Sequence, residues 1–197
     1  MTLTDQEKKR LRKIFKEKRS VLTSKEVAEK SSQISNNFIK NLLPKIYEKK
    51  FDKVFAIYLS SHQEVCTSEI IKYFIQNKIK FSYPKITQIN HPLDFILFEE
   101  NQKFSENNFF PKILEPINGK IIVPDIVILP LLAFDYKLSR LGMGGGFFDR
   151  TIEILRNQGS KIIIGLAYDF QAFDTLLPIE KTDQRLDFVV TEGCIIS

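Results

Sequence analysis

Residues 126–150, IVILPLLAFDYKLSRLGMGGGFFDR, decide how the rest of the chain is read. Ile126–Leu129 is an unbroken apolar run stopped by Pro130, the pattern of a strand buried on both faces. Further along, Gly142, Gly144, Gly145 and Gly146 fall within five positions, half of the eight glycines in the chain, and no other segment concentrates them so. Glycine is used where a backbone must take positive φ or come close to a ligand. Arg140 precedes this loop and Asp149–Arg150 follow it. From Phe147 to Asn157, helical spacing puts Phe148, Ile152 and Leu155 on one stripe. A strand, a glycine-rich loop with basic flanks and a helix start make a place to hold phosphate, because unpaired amides and the positive end of the helix dipole converge there. The loop is not a Walker A motif, since no Lys-Ser/Thr follows the glycines. It is not a complete G-x-G-x-x-G either, since Phe147 stands where the third glycine belongs. On local pattern alone a tight, ligand-free turn remains the competing reading.

Working outward, Val54–Leu59 (VFAIYL) predicts a central strand. Lys80–Tyr83 and Phe95–Phe98 predict shorter ones, and Ile162–Leu166 and Phe188–Thr191 complete a mostly apolar set. Helical patterns alternate with them. Thr4-x-x-Glu7 reads as a capping box opening a helix to about Val21, with Leu11, Ile14, Phe15 and Leu22 as its apolar face. Thr23-x-x-Glu26 reads as a second box, opening a helix striped by Val27, Ile34, Phe38 and Leu42 that Pro44 helps to end. Thr67 or Ser68 is expected to cap a third helix running through Asn77. Residues 101–119 read as the least regular part. The alternation predicts an α/β fold, a single three-layer domain over residues 1–197 with a mostly parallel central sheet flanked by helices.

Composition narrows the class. A chain of 197 residues that is 43% hydrophobic and 27% charged can bury a sizeable core. No apolar stretch is long enough to span a bilayer, and the charged start offers no signal-peptide core. Two cysteines make no disulfide framework, and with two histidines a Cys/His zinc site is not expected. These features point to a cytoplasmic protein. The net charge of +5 fits a polyanionic small substrate. No basic segment interleaved with aromatics argues for nucleic acid, so neither nucleic-acid nor membrane binding is expected. In the first helix Lys8, Arg12 and Arg19 share one side, and by pattern alone a solvated basic face is favoured over the competing reading, in which Lys8 and Arg12 reach an anion. Ser60–Val65 forms the loop at the carboxyl end of the Val54–Leu59 strand, where ligands of open α/β sheets collect, which makes Glu64 a site candidate.

These residues together resemble the 5-formyltetrahydrofolate cyclo-ligase (5,10-methenyltetrahydrofolate synthetase) family. The matching segments run in the family's order: Lys8–Arg12 (KKRLR), Tyr58–Ile71 (YLSSHQEVCTSEII), Glu115–Pro116, Leu129–Arg150, Ile164–Gln171 (IGLAYDFQ) and Leu177–Glu192 (LPIEKTDQRLDFVVTE). The AFD…RLGxGGGxxDR element is the most specific. The resemblance implies an enzyme that converts 5-formyltetrahydrofolate to 5,10-methenyltetrahydrofolate with ATP as co-substrate and Mg2+ as cofactor, releasing ADP and phosphate. It implies ATP contacts at Lys8, Lys9, Arg10, Leu11 and Arg12, and from Arg140 through Leu141, Gly142, Met143, Gly144, Gly145, Gly146 and Phe147 to Phe148. It implies folate contacts at Leu59, Glu64, Met143, Gly144, Gly145, Gly146 and Phe147, catalytic roles for Glu64, Arg140 and Asp149, and metal ligation by Asp149 and Asp183. The small-molecule substrates are the implied partners, and a monomer is expected.

The chain departs from the family pattern at Met143, Phe147 and Phe148, which stand where tyrosines are usual. It departs again at Thr182, which replaces a histidine before Asp183, and at Leu131–Leu132, which replace Pro-Gly. Two other classes compete. A dinucleotide-dependent oxidoreductase is disfavoured by the missing third glycine and by the lack of an acidic residue about 20 positions on at a strand end. A non-catalytic folate- or nucleotide-binding relative is disfavoured because Lys8, Arg12, Glu64, Arg140, Asp149 and Asp183 are all retained.

Overall fold

The computed structural model describes residues 3–48, 52–61, 63–111 and 113–197. Its centre is the predicted apolar run. Strand β1 (Phe55–Ile57) lies between β6 (Ile126–Pro130) and β2 (Phe81–Lys85), pairing in parallel with both. Beyond β6 come β9 (Ile162–Leu166) and β10 (Phe188–Val190), again parallel. The two edges are antiparallel, β3 (Asp94–Leu97) on β2 and β11 (Ile195–Ile196) on β10, giving the order β11-β10-β9-β6-β1-β2-β3. The fold is thus α/β with a mostly parallel seven-stranded sheet.

Side chains alternate between the two faces of this sheet, as the two-residue period of a strand requires. Phe55, Ile57, Ile126 and Ile128 join one apolar cluster with Ile34 of α2 (Ser24–Asn37), Phe38 just after it, and Ile70 and Phe74 of α4 (Ser68–Gln76). Ala56, Val127, Leu129 and Ile163 join the opposite cluster with Ile152 and Leu155 of α5 (Phe147–Asn157). Helices on both faces make the three layers. Helix α1 (Leu3–Ser20) packs elsewhere. Leu11 and Phe15 meet Leu132, Ala133, Leu141 and Leu177, so α1 covers the chain just past the carboxyl end of β6.

Several local expectations change. Thr4 is not a helix cap, because α1 is already helical at Leu3, and Glu7 turns instead to Arg10 at 2.6 and 2.9 Å. The second capping box is present: Thr23 Oγ1 accepts from Glu26 N at 3.2 Å, and Thr23 N donates to Glu26 Oε2 at 2.9 Å. Thr23→Ala is expected to lower stability by about 1 kcal/mol with activity unchanged, measured by urea unfolding. Pro44 does not end the helix. Phe38–Leu42 forms a π-helical turn with Leu43 N donating to Phe38 O, which restarts the helix as α3 (Leu43–Ile46). Pro44 then sits in a first turn, where no backbone N–H is needed. Thr67 occupies the N-cap of α4 without capping it, since its Oγ1 donates to Tyr58 O at 2.8 Å.

Residues 101–119 are not all irregular. They hold a two-stranded hairpin, β4 (Phe104–Glu106) on β5 (Leu114–Pro116). A second small hairpin pairs β7 (Ala133–Phe134) with β8 (Arg140–Leu141). Its turn is built by Asp135, which is 1% exposed. Oδ1 accepts from Lys137 N and Ser139 N at 2.9 Å each, and Oδ2 accepts from Leu177 N at 2.9 Å. The aspartate of the AFD element is therefore a turn-former, satisfying backbone donors. It fixes where Arg140 enters the glycine loop.

Candidate active site

The parallel strands run outward in both directions from β1 and β6, with α4 on one face and α5 on the other. The carboxyl ends of such a pair leave a crevice, because the connections after them depart in opposite directions. A cavity of about 520 Å3 opens there, a size suited to small ligands. Tyr58 and Leu59 line it after β1, and Pro130 at the end of β6. Tyr83 and Pro84 of β2 and Ile113, Leu114 and Glu115 of the hairpin supply a further wall. Glu115 is 5% exposed and holds this wall in place: Oε1 accepts from Ile86 N at 2.8 Å and Oε2 from Asn107 Nδ2 at 2.7 Å.

Residues 140–150 form the floor. Gly144 has φ +104° and Gly146, the N-cap of α5, has φ +65°, both in the left-handed region that favours glycine. Around them two guanidinium groups hold the loop. Arg12 Nε donates to Gly142 O at 3.0 Å, and Arg150 Nη2 donates to Gly145 O at 2.7 Å. Arg150 also stacks its guanidinium over the Phe147 ring at 5.3 Å.

The charges in the cavity fall into two kinds. Lys8 and Arg140 are compensated. Lys8 is 4% exposed, and its Nζ lies 2.6 Å from both Glu180 Oε2 and Asp183 Oδ2. Burial alone would pull this ammonium down, but hydrogen bonds to Asp183 and Glu180 and their charges carry it above the ordinary lysine value. With the folded-state value raised, the clamp's contribution is fully present below the unfolded value, about pH 10, and is lost only as pH rises through the folded one. Arg140 donates through Nη2 to Asp149 Oδ1 at 2.8 Å and through Nη1 to Gln184 O. Gln184 N closes the arrangement on the same Asp149 oxygen at 3.0 Å. Arg12 and Arg150, in contrast, pair with no carboxylate among the described residues.

At the other end, Glu64 is held from two directions. Ser61 N and Ser61 Oγ donate to Oε2 at 2.9 and 3.2 Å, and Arg19 Nη1 lies 3.8 Å from Oε1. The backbone around it is pinned separately. Tyr58 Oη donates to Val65 O at 2.8 Å, and Tyr168 Oη donates to Glu64 O at 3.1 Å. Burial pushes both tyrosines up, Tyr58 well above its usual value with the Glu64 charge adding to the effect, so both remain neutral donors.

The cavity brings together nearly every residue singled out in the sequence: Lys8, Arg12, Leu59, Glu64, Arg140 to Asp149 and Asp183. Three do not line it. Lys9 and Arg10 are exposed, with Arg10 paired to Glu7, and Leu11 is 1% exposed in the cluster under α1. A helix turns 100° per residue, so five consecutive residues cannot all face one cavity. The basic side of α1 is not solvated, because Lys8 and Arg19 are 4% and 5% exposed and Arg12 reaches the glycine loop. Arg150, expected only as a basic flank of the glycine loop, also lines the cavity, as do Glu180 and Thr182, for which the sequence suggests no site role.

No cluster of three or more metal-ligating side chains occurs among the described residues, and no helix there is long and apolar enough to cross a membrane. Asp149 and Asp183 fit Mg2+ as two separate carboxylates. Each engages its protein partners through one oxygen, Oδ1 of Asp149 and Oδ2 of Asp183, and leaves the other without a partner among the described residues. Mg2+ needs only one or two protein carboxylates when phosphate oxygens and water complete its shell.

Comparison with known proteins bears on this arrangement. The family model described as the 5-formyltetrahydrofolate cyclo-ligase family matches residues 4–192. The chain is 36% identical over 147 residues to the 5-formyltetrahydrofolate cyclo-ligase of Haemophilus influenzae, covering 72% of this chain and 76% of that protein. It is 28% identical over 187 residues to the 5-formyltetrahydrofolate cyclo-ligase of Mycoplasma pneumoniae, covering 94% and 99%. Among solved structures, a 5,10-methenyltetrahydrofolate synthetase from Mycoplasma pneumoniae superposes with a TM-score of 0.73 at 26% identity, over 94% of this chain and 98% of that one. The 5,10-methenyltetrahydrofolate synthetase of Aquifex aeolicus gives 0.77 at 25% identity, over 96% and 91%.

Proposed function

The chain belongs to the 5-formyltetrahydrofolate cyclo-ligase family and is an enzyme of that kind; from this we propose that it uses ATP and Mg2+ to close 5-formyltetrahydrofolate to 5,10-methenyltetrahydrofolate, releasing ADP and phosphate, as one domain over residues 1–197. The observation that carries the reading is one shared cavity. Residues as far apart in sequence as Lys8, Glu64, Asp149 and Asp183 line it together with the glycine loop.

In the proposed reaction the formyl oxygen attacks the γ-phosphorus and ADP leaves. The activated carbon is then attacked by N10, which gives up its proton, and the C–O bond breaks to release phosphate as the ring closes. Chemistry of this kind depends on positioning and charge neutralisation more than on a protein nucleophile. The backbone of Gly142–Gly146 wraps the triphosphate at the start of α5, where amides and the helix dipole favour anions. Arg12, with no carboxylate to satisfy, contacts phosphate oxygens directly. Lys8 and Arg140 act from within their carboxylate clamps, fixing Asp183 and Asp149 while lowering the local negative charge. Asp149 and Asp183 hold Mg2+ through their remaining oxygens, and the ion, when bound, neutralises charge on the transferring phosphate. Glu64 orients the folate by accepting hydrogen bonds from the pterin, with Leu59, Met143 and Phe147 against the ring and Phe148 lining the same pocket.

The test is direct. Purified protein with 5-formyltetrahydrofolate, ATP and Mg2+ should show a rise in near-ultraviolet absorbance from the methenyl product. No ATP-dependent rise would sink the assignment. Within this reading Lys8→Ala should raise the ATP KM roughly tenfold, because it releases Asp183 and Glu180 from their cation and leaves uncompensated negative charge beside the triphosphate. An unchanged ATP KM would remove α1 from the nucleotide site.

A further inference from the structure

We propose that Arg19 is a positioning residue for the folate subsite, acting through the carboxylate of Glu64; the proposal rests on the reading of Glu64 given above. Arg19 does not line the cavity, and at 5% exposure it is one of the few buried charges in the molecule. Among the described residues its only carboxylate partner is Glu64, with Nη1 at 3.8 Å from Oε1. Both side chains are withdrawn from water, at 7% and 11% exposure, so the attraction between them is screened far less than on a surface.

The division of labour around Glu64 makes the role specific. The backbone of residues 64–67 is tied down without Arg19: Tyr58 Oη holds Val65 O, Tyr168 Oη holds Glu64 O, Ser31 Oγ accepts from Cys66 N at 2.8 Å, and Thr67 Oγ1 holds Tyr58 O. Ser61 fixes one oxygen of the carboxylate, Oε2. What Arg19 adds is a cation behind the other oxygen, Oε1, which holds the direction of the carboxylate. A carboxylate held in one direction is what a pterin's N–H donors require, and a swung-out one forfeits that recognition.

Sequence spacing supports the assignment. Lys8, Arg12 and Arg19 stand at i, i+4 and i+11 on α1, spread over roughly 16 Å of helix axis. Lys8 meets the C-terminal carboxylates, Arg12 the glycine loop and Arg19 the glutamate after β1. One helix therefore supports both ends of the two-substrate cavity from a single face, and only its last cation serves the folate end.

The experiment is a set of single and double variants read by the KM of each substrate. Arg19→Leu should raise the folate KM about tenfold and leave the ATP KM within twofold. In a Glu64→Gln background, Arg19→Leu should change the folate KM by less than twofold, because the charge it acts through is gone. Arg19→Lys should restore most of the loss, since an ammonium keeps the charge. Thermal unfolding accompanies each variant, and if Arg19→Leu does not fold, Arg19→Gln against Arg19→Lys carries the comparison. Equal increases in both KM values, or the same increase with and without Glu64, would overturn the proposal by showing a merely structural role. If Glu64→Gln by itself leaves the folate KM unchanged, the reading of Glu64 fails first and the role of Arg19 falls with it.

Discussion

Asp149→Ala is expected to lower stability by about 3 kcal/mol and to reduce kcat/KM by at least a hundredfold. The stability loss follows from what the carboxylate holds. Arg140 is nearly sealed, at 4% side-chain exposure, and Asp149 is its only carboxylate partner among the described residues. Removing one member of a buried pair leaves an uncompensated charge, which costs far more than the pair's net worth. Gln184 N loses the same acceptor, so the segment carrying Thr182 and Asp183 loosens as well. Asp149→Asn separates the two roles. It keeps an acceptor for Arg140 and Gln184 but removes the charge and weakens the second oxygen as a metal ligand. Stability should fall by a smaller amount, about 1 kcal/mol, while the Mg2+ concentration for half-maximal rate rises at least tenfold. Urea unfolding and a Mg2+ titration read the two effects independently. An Asp149→Asn enzyme with an unaltered Mg2+ titration would assign Asp149 to Arg140 alone.

That dual role shows where the sequence could and could not be read. The strand Ile126–Pro130 and its partner Phe55–Ile57 were legible because a strand buried on both faces must be continuously apolar, and nothing in the fold competes with that demand. The glycine loop was legible because positive φ leaves a compositional trace. The hairpins β4–β5 and β7–β8 left little, since strands of two or three residues show no period, and β7–β8 is fixed by one side chain, Asp135, bonding to a segment 42 residues away. Pro44 misled because the π-helical turn before it moves the proline into a first turn, a register change that no residue type announces.

Charge pairing leaves the weakest trace in the sequence. Spacing put Lys8, Arg12 and Arg19 on one side of α1, but not whether that side meets water. The answer depends on Glu180, Asp183, Gly142 and Glu64, between 45 and 175 positions away. Family resemblance pointed to residues most of which the fold gathers around one cavity. It could not sort the compensated cations, Lys8 and Arg140, from the uncompensated ones, Arg12 and Arg150, because that distinction exists only once the carboxylates have been placed. The same limit explains why Lys9, Arg10 and Leu11 were carried along with their neighbours although the helix turns them away.

Gly146→Val is expected to abolish turnover, by at least a hundredfold in kcat/KM, while Gly142→Ala is tolerated. The two glycines sit four residues apart in the same loop, yet the geometry demands only one of them. Gly146 is at φ +65°, which a β-branched residue resists at a cost on the order of 1–3 kcal/mol, and its new Cβ would lie 2.7 Å from Arg150 Nη1. To relieve both, the backbone must rotate and Arg150 must leave, which breaks the bond to Gly145 O and its stacking on Phe147. The amides at the start of α5 would then no longer converge on one point, and that convergence is the property proposed to hold the triphosphate. A Cβ at Gly142 meets nothing within 4 Å, and φ there lies outside the left-handed region. Because α5 still buries Ile152 and Leu155 in both variants, each should unfold cooperatively, Gly146→Val a few degrees lower. Kinetics with saturating folate and varied ATP should locate the defect of Gly146→Val in nucleotide use. If Gly142→Ala proved as damaging as Gly146→Val, side-chain exclusion along the whole loop, rather than the left-handed turn at Gly146, would be what the glycines provide.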